Sequence, residues 1–300
     1  MHAYIRSLGF NKDVSFLETE AVIKAGLEAA AKSGRVCFIE DKNKVFYRVP
    51  LSNNMGFSVV CDYDSKDTGN PYILDYYTPY LLPDGFRKTD VLFIERHVSN
   101  DSYGILSDEI KEGATIVSFL DNAYETGLYS DKTIGITDAL IGVSGLCLSG
   151  TVLLPIKKLS HQEETERKNN RRLIIERANE GDEEAIEQLA LEDFDNIYSV
   201  SRRIGKEDIL TIVESTFIPC GVECETYSIL GDIVELSTEE NVITGKLCYN
   251  MHILCDDIEF NVLINKEDLV GEPKVGRRFK GCVWLMAHVR FTEETKFREE

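Results

Sequence analysis

No stretch of this 300-residue chain approaches the 18 or so consecutive apolar residues that a membrane-spanning helix needs. The opening Met1-His2-Ala3-Tyr4-Ile5-Arg6 also lacks the unbroken apolar core of a secretory signal. A cytoplasmic location with no membrane partner is therefore expected. Positive charge is scarce: 33 Lys and Arg stand against 52 Asp and Glu, a formal net charge of -19. Such a field repels phosphate backbones and anionic lipid, so nonspecific nucleic-acid or membrane binding starts disfavoured. There is no short secreted framework of closely spaced cysteines either. The eight cysteines lie in surroundings such as Val36-Cys37-Phe38 and Gly145-Leu146-Cys147-Leu148, and read as reduced, mostly buried thiols.

Several motifs are absent although fragments of them are present. Gly142-Val143-Ser144-Gly145-Leu146 has Leu146 where a nucleophile elbow needs its second glycine. Gly271 and Gly276 have phosphate-loop spacing but are followed by Arg277-Arg278, without the lysine and hydroxyl that bind phosphate and magnesium. Ala178-x-x-Gly181-Asp182-x-x-Ala185 resembles one turn of a tetratricopeptide-like repeat, and no second copy occurs at any period.

What the chain has is a change of texture. In 1–159 a helix is predicted over 16–32, stopped by Ser33-Gly34. It is followed by period-two runs at 36–39, 45–49, 57–63 and 73–80, an antiparallel meander. Residues 91–98 read as a further strand and 115–124 as an amphipathic, helical segment. Two short strands, 140–146 and 151–156, read as a pair around Ser149-Gly150. Residues 160–217 are charged and helix-forming: Ser160 and Glu163 have capping-box spacing, and Gly181 followed by Asp182 separates two helices. From 218 to 300, four alternating runs at 226–236, 246–255, 258–264 and 279–289 suggest a small barrel. The expected fold is α+β: an N-terminal antiparallel-sheet α+β domain (1–159), a central helical hairpin or charged bridge (160–217) and a C-terminal OB-like or SH3-like β-barrel (218–300). The acidity is concentrated beyond residue 160, with net charges of -5, -7 and -7 for residues 1–160, 161–215 and 216–300.

Each candidate site has a plain alternative. Cys220, Cys224, Cys248, His252 and Cys255 carry ligands that zinc prefers. Their spacing lacks a Cys-x-x-Cys knuckle, and Cys248 and Cys255, seven apart, point to opposite faces of a strand. They read as buried or partly buried thiols, with no metal and no cofactor. Glu95 and His97 can share a strand face, and Asp62, Asp64 and Asp75 can supply paired carboxylates, but no nucleophile accompanies them. Arg277, Arg278 and Lys280 with Tyr249 form the one basic and aromatic cluster, a face for single-stranded nucleic acid. Its alternative is a set of core rings with arginines paired to acidic neighbours. Glu183, Glu184 and Glu187 suit the docking of a basic protein partner.

Residues 181–186 and 197–204, Gly221-Val222-Glu223-Cys224, Tyr227-Ser228-Ile229-Leu230-Gly231, Asp268-Leu269-Val270-Gly271-Glu272-Pro273, Val275-Gly276-Arg277-Arg278-Phe279-Lys280-Gly281, Tyr4-Ile5-Arg6-Ser7-Leu8-Gly9-Phe10 and Leu146-Cys147-Leu148-Ser149-Gly150 resemble an uncharacterised family of about 300-residue proteins from Firmicutes. The resemblance spans essentially the whole chain. It implies a bacterial cytoplasmic protein and supplies no catalytic residue. The expected function is a nonenzymatic binding or adaptor protein acting through an unknown protein partner. The alternatives are nucleic-acid or nucleotide binding by the C-terminal barrel, and an enzyme whose pocket is assembled from distant positions.

Overall fold

The computed structural model describes residues 3–64, 66, 71–96, 102–109, 114–130, 132–156, 213–221, 224–255 and 258–299, with Ile174, Arg177, Asp182, 184–188 and Leu210. Met1–Leu153 and Phe217–Glu300 form one compact unit, and Leu154–Thr216 a second.

The first unit opens with a 3-10 turn, Ala3–Leu8, and helix α1, Phe16–Lys32. Ser15 starts α1 with a full capping box: its hydroxyl accepts from Glu18 N, and the Glu18 carboxylate accepts from Ser15 N at 2.7 Å. Strands β1 (Cys37–Ile39), β2 (Lys44–Pro50), β3 (Met55–Tyr63) and β4 (Tyr72–Leu81) follow as an antiparallel four-stranded sheet. Asn43, in the left-handed region at φ 50°, turns β1 towards β2.

An eleven-stranded sheet takes the other described strands. They are β5 (Arg87–Arg96), β6 (Tyr103–Glu109), β7 (Ala114–Leu120), β8 (Ile134–Leu153), β9 (Thr216–Pro219), β10 (Thr226–Glu240), β11 (Leu247–Cys255), β12 (Ile258–Asn265), β13 (Leu269–Val270), β14 (Arg278–Arg290) and β15 (Lys296–Glu299). A short helix α2, Ala123–Thr126, lies between β7 and β8. The pairings close two rings that share β8 and β14. One runs β8, β14, β10, β11, β12 and back to β8; the other runs β8, β5, β6, β7, β14 and back to β8. The larger core cluster joins residues of both, including Ile105 and Ile136 of one ring and Ile253, Val262 and Phe279 of the other.

The expected fold class is overturned. Among the described residues 55% are strand and 18% helical, and the protein is mostly β rather than α+β. The strands after 218 make no OB-like or SH3-like barrel of their own, because β14 and β12 close only through β8, drawn from the N-terminal region. No central helical hairpin is seen among the described residues. Of 160–217 these include helical Ile174, Arg177, 184–188 and Leu210, with Asp182 and 213–217, while the Ser160 cap and the other positions of that reading lie outside them. Of 115–124, read as helical, 115–120 lie in β7 and only Ala123 and Tyr124 are helical, in α2: the β-branched and aromatic side chains of β7 pair against β6 from Gly104↔Phe119 to Glu109↔Ala114.

Glycine misled the reading of β8. Ser149-Gly150 looked like a turn, yet the strand runs straight through it. Gly150 is there because Phe279 on β14 crosses so closely that a Cβ would collide with its ring. The N-terminal turn is tied to the C-terminal region and to β8 by similar specifics. Arg6 forks onto Asp268 at 2.7 and 3.0 Å and reaches Glu267 at 3.0 Å. Buried Asn241 donates to Leu8 O at 2.7 Å, and Ser7 donates to Cys147 O at 2.9 Å.

Replacing Gly150 with valine should overpack the β8 and β14 seam and lower unfolding stability by about 2 kcal/mol in urea denaturation. An unchanged midpoint would show that Phe279 is free to move aside.

Candidate ligand-binding cleft

Along α1 the residues Ala21, Ala25 and Ala29 recur every four positions, with Val22 and Gly26 beside them, so this face carries almost no side-chain bulk. A Cβ on Gly26 would strike Val49 of β2, which fixes how closely the helix rides on the sheet at that point. Where the alanines continue the face, helix and sheet instead leave a cleft of about 850 Å³. Its other walls come from Phe46, Tyr47, Val49 and Pro50 of β2 with Leu51, from Tyr80 of β4, and from Ile243. Arg35, Cys37, Arg48 and Glu125 supply its polar groups.

Arg48 organises one end. Its Nε and Nη2 donate to the two Glu125 oxygens at 2.9 and 2.7 Å, and Nη2 also reaches Asp121 at 3.3 Å. The guanidinium lies over the Tyr80 ring, 4.5 Å from its centroid. Nη1 is buried and has no hydrogen-bond partner among the described residues. Burial works to lower the Arg48 pKa, and Asp121 followed by Glu125 more than offset it, so the group stays charged. Asp121, only 2% exposed, also holds His288 Nδ1 at 3.0 Å. Arg35 is different. It is exposed, its Nε donates to Ser33 Oγ at 2.9 Å, and its two terminal nitrogens make no hydrogen bond or ion pair among the described residues.

A family model described as a domain of unknown function, E. rectale gene description (DUF3881), matches residues 5–287. The chain belongs to that family. No curated protein and no solved structure matches this DUF3881 chain. Among its described residues, no helix is long and apolar enough to cross a membrane.

The sequence candidates are scattered in this DUF3881 protein. Arg278 is 2% exposed and stands opposite Asp232 in the ladder, so it presents nothing to a nucleic acid. Arg277 is bound into the preceding turn by Glu272 O at 2.7 Å, Lys280 is exposed on β14, and Tyr249 packs partly against the core. Cys248 and Cys255 are buried on β11, where His252 sits 3.6 Å from Glu259. Cys224 is partly exposed, and Cys220 is exposed against Cys282, a residue the sequence reading did not single out. Among the described residues no group of three or more His, Cys, Asp or Glu is placed to hold a metal ion.

Glu95 is exposed and accepts from Thr133, and His97 lies outside the described residues, as does Glu183. Glu184 and Glu187 are exposed in the second unit, where Asp182 caps Glu184 N and Ala185 N. Asp62 and Asp75 do converge, but on Lys44, at 3.0 and 2.5 Å. Burial opposes the lysine charge there, and the two carboxylates override it and raise its pKa. Asp64 instead accepts from Lys66 N within its own loop. The cleft residues carried a signal that went unread: the Ala21, Ala25, Ala29 repeat beside Gly26 is a helix face too slender to fill the space above a sheet.

Substituting Asp121 with alanine should cost about 3 kcal/mol, because it withdraws a buried carboxylate from Arg48. Adding Arg48→Met should recover a large part of that loss in urea denaturation. Strictly additive losses would mean the two residues do not depend on each other.

Proposed function

We propose that this family member is a nonenzymatic cytoplasmic binding protein whose cleft takes a small molecule with an apolar body and a singly charged anionic head. The observation that carries the reading is the open, mostly apolar space of about 850 Å³ under α1. It falls within the roughly 300–1,000 Å³ typical of small-ligand sites, which pair hydrophobic walls with a few polar groups. Burial of an apolar body against Ala25, Ala29, Phe46 and Pro50 supplies the driving force. Arg35, with its terminal donors unspent, supports an acidic head group at the rim. The overall charge of -19 selects against polyanions and leaves a local cation to take a single negative charge.

The same walls support binding over chemistry. Glu125 is engaged by the Arg48 fork, and the Tyr47 hydroxyl donates to Ile23 O at 3.3 Å while burial pushes its pKa up. Among the described lining residues there is no imidazole to act as a general base near neutral pH.

Anilinonaphthalene sulfonate, two fused rings and a phenyl group with one sulfonate, is a probe of this shape. It should bind the folded protein saturably, one per chain. Ala25→Phe, which fills the cleft, should weaken binding at least tenfold, and Arg35→Glu several-fold, with unfolding midpoints close to that of the parent. Bound probe should also slow alkylation of Cys37. Parent-like affinity in both variants would overturn the reading.

A further inference from the structure

Away from the cleft, two sulfur atoms meet at the surface. Cys220 and Cys282 are 62 residues apart in the chain, yet their Sγ atoms are 3.4 Å from each other and both residues are exposed. Cys220 follows β9, and its N–H donates to Thr226 O at the start of β10 at 2.8 Å. β10 in turn pairs Ser228 with Cys282 on β14, so the ladder fixes both thiols near one another. A third thiol, Cys224, is partly exposed and donates to Thr226 O at 3.3 Å, which holds it on its own turn.

We propose that Cys220 and Cys282 form a reversible two-electron dithiol–disulfide site whose substrates are low-molecular-weight disulfides. The Cys220 thiolate attacks one sulfur of the small disulfide. A mixed disulfide forms on Cys220, the small S–S bond breaks, and one small thiol leaves. Cys282 then gives up its proton, attacks the Cys220 sulfur and expels the second small thiol. Two protein thiols become one disulfide, and one small disulfide is reduced to two thiols.

The geometry favours the second step over release of an adduct, since the sulfurs need close only from 3.4 Å to the bonded distance of about 2.0 Å. Burial, and the hydrogen bond that the Cys282 thiol shares with Cys220, push the Cys282 pKa up to about 11. A raised pKa makes Cys282 the poorer first nucleophile at neutral pH. The cross-link would tie the residue just after β9, where the chain returns from the Leu154–Thr216 unit, to the strand shared by both rings.

The chain carries its own control and its own reporter. Cys37 is exposed and has no sulfur partner among the described residues, so it should retain a mixed disulfide. Trp284, the single tryptophan, is two residues from Cys282, and its indole N–H donates to Glu225 beside Cys224 at 2.8 Å. The full-length reduced protein is treated with oxidised glutathione, quenched in acid, blocked with a maleimide and mapped by peptide mass spectrometry. The expected result is glutathione on Cys37, a direct Cys220–Cys282 link and two glutathione thiols released per link, besides the one that leaves when Cys37 is modified. Tryptophan emission should fall as the link forms and return with dithiothreitol. In Cys282→Ser the adduct should remain on Cys220 with one thiol released; in Cys224→Ser the link should form as in the parent. A parent protein that keeps glutathione on Cys220, or links Cys220 to Cys224 instead, overturns the proposal.

Discussion

The antiparallel ladder between β8 and β14 is the pairing on which the larger sheet depends. It runs from Leu140↔Arg290 to Leu153↔Arg278, with one irregularity between Gly281 and Val283. Remove it and neither ring closes, because each uses these same two strands as neighbouring staves. β5, β7, β10 and β12 each have a paired neighbour on both sides within the rings, which limits the N–H and C=O groups they leave unpaired at an edge. The partners lie more than 120 residues apart in sequence, so the chain must bring its middle and its C-terminal region together before much of the apolar surface in the larger cluster is covered.

The same seam positions the cleft. Asp121 N donates to Ala287 O of β14 at 3.0 Å, and Asn122 exchanges hydrogen bonds with both backbone groups of Val289 at 2.8 and 3.1 Å. These bonds pin the segment that carries Asp121 and Glu125, which in turn hold Arg48 of β2. The polar end of the cleft is thereby referenced to β14, while its apolar wall rides on α1. An arginine with two carboxylate partners and an aromatic face beneath it contributes orientation more than stability, since taking its charge from water costs about as much as pairing returns.

Local signals in the sequence were legible where local physics decides. Helix α1 occupies 16–32 as its apolar spacing and the Ser33-Gly34 stop indicate, and β2, β3 and β4 cover the alternating runs at 45–49, 57–63 and 73–80. What failed was non-local. Gly150 carries the same letter in a turn as at a strand crossing, and only the position of Phe279 tells the two apart. The parallel pairing of β12 with β8 that closes one ring leaves no trace in either strand alone. Among the site residues, Arg278 read as a ligand-facing cation because charge is usually exposed, and it is buried opposite Asp232. The Cys220 and Cys282 contact was invisible for the opposite reason: neither cysteine lies in a spacing motif, and the strands create the pair.

Native-state hydrogen exchange, resolved by peptide and followed at low denaturant, tests most directly whether β8 and the C-terminal strands fold as one body. The amides of β8 between 140 and 153 and those of β14 should open in a single cooperative step, at the free energy of global unfolding, together with those of β10, β11 and β12. Protection of β10, β11, β12 and β14 that outlasts exchange of β8 would contradict the account, since it would mean that the C-terminal strands hold together without the strand that closes their ring.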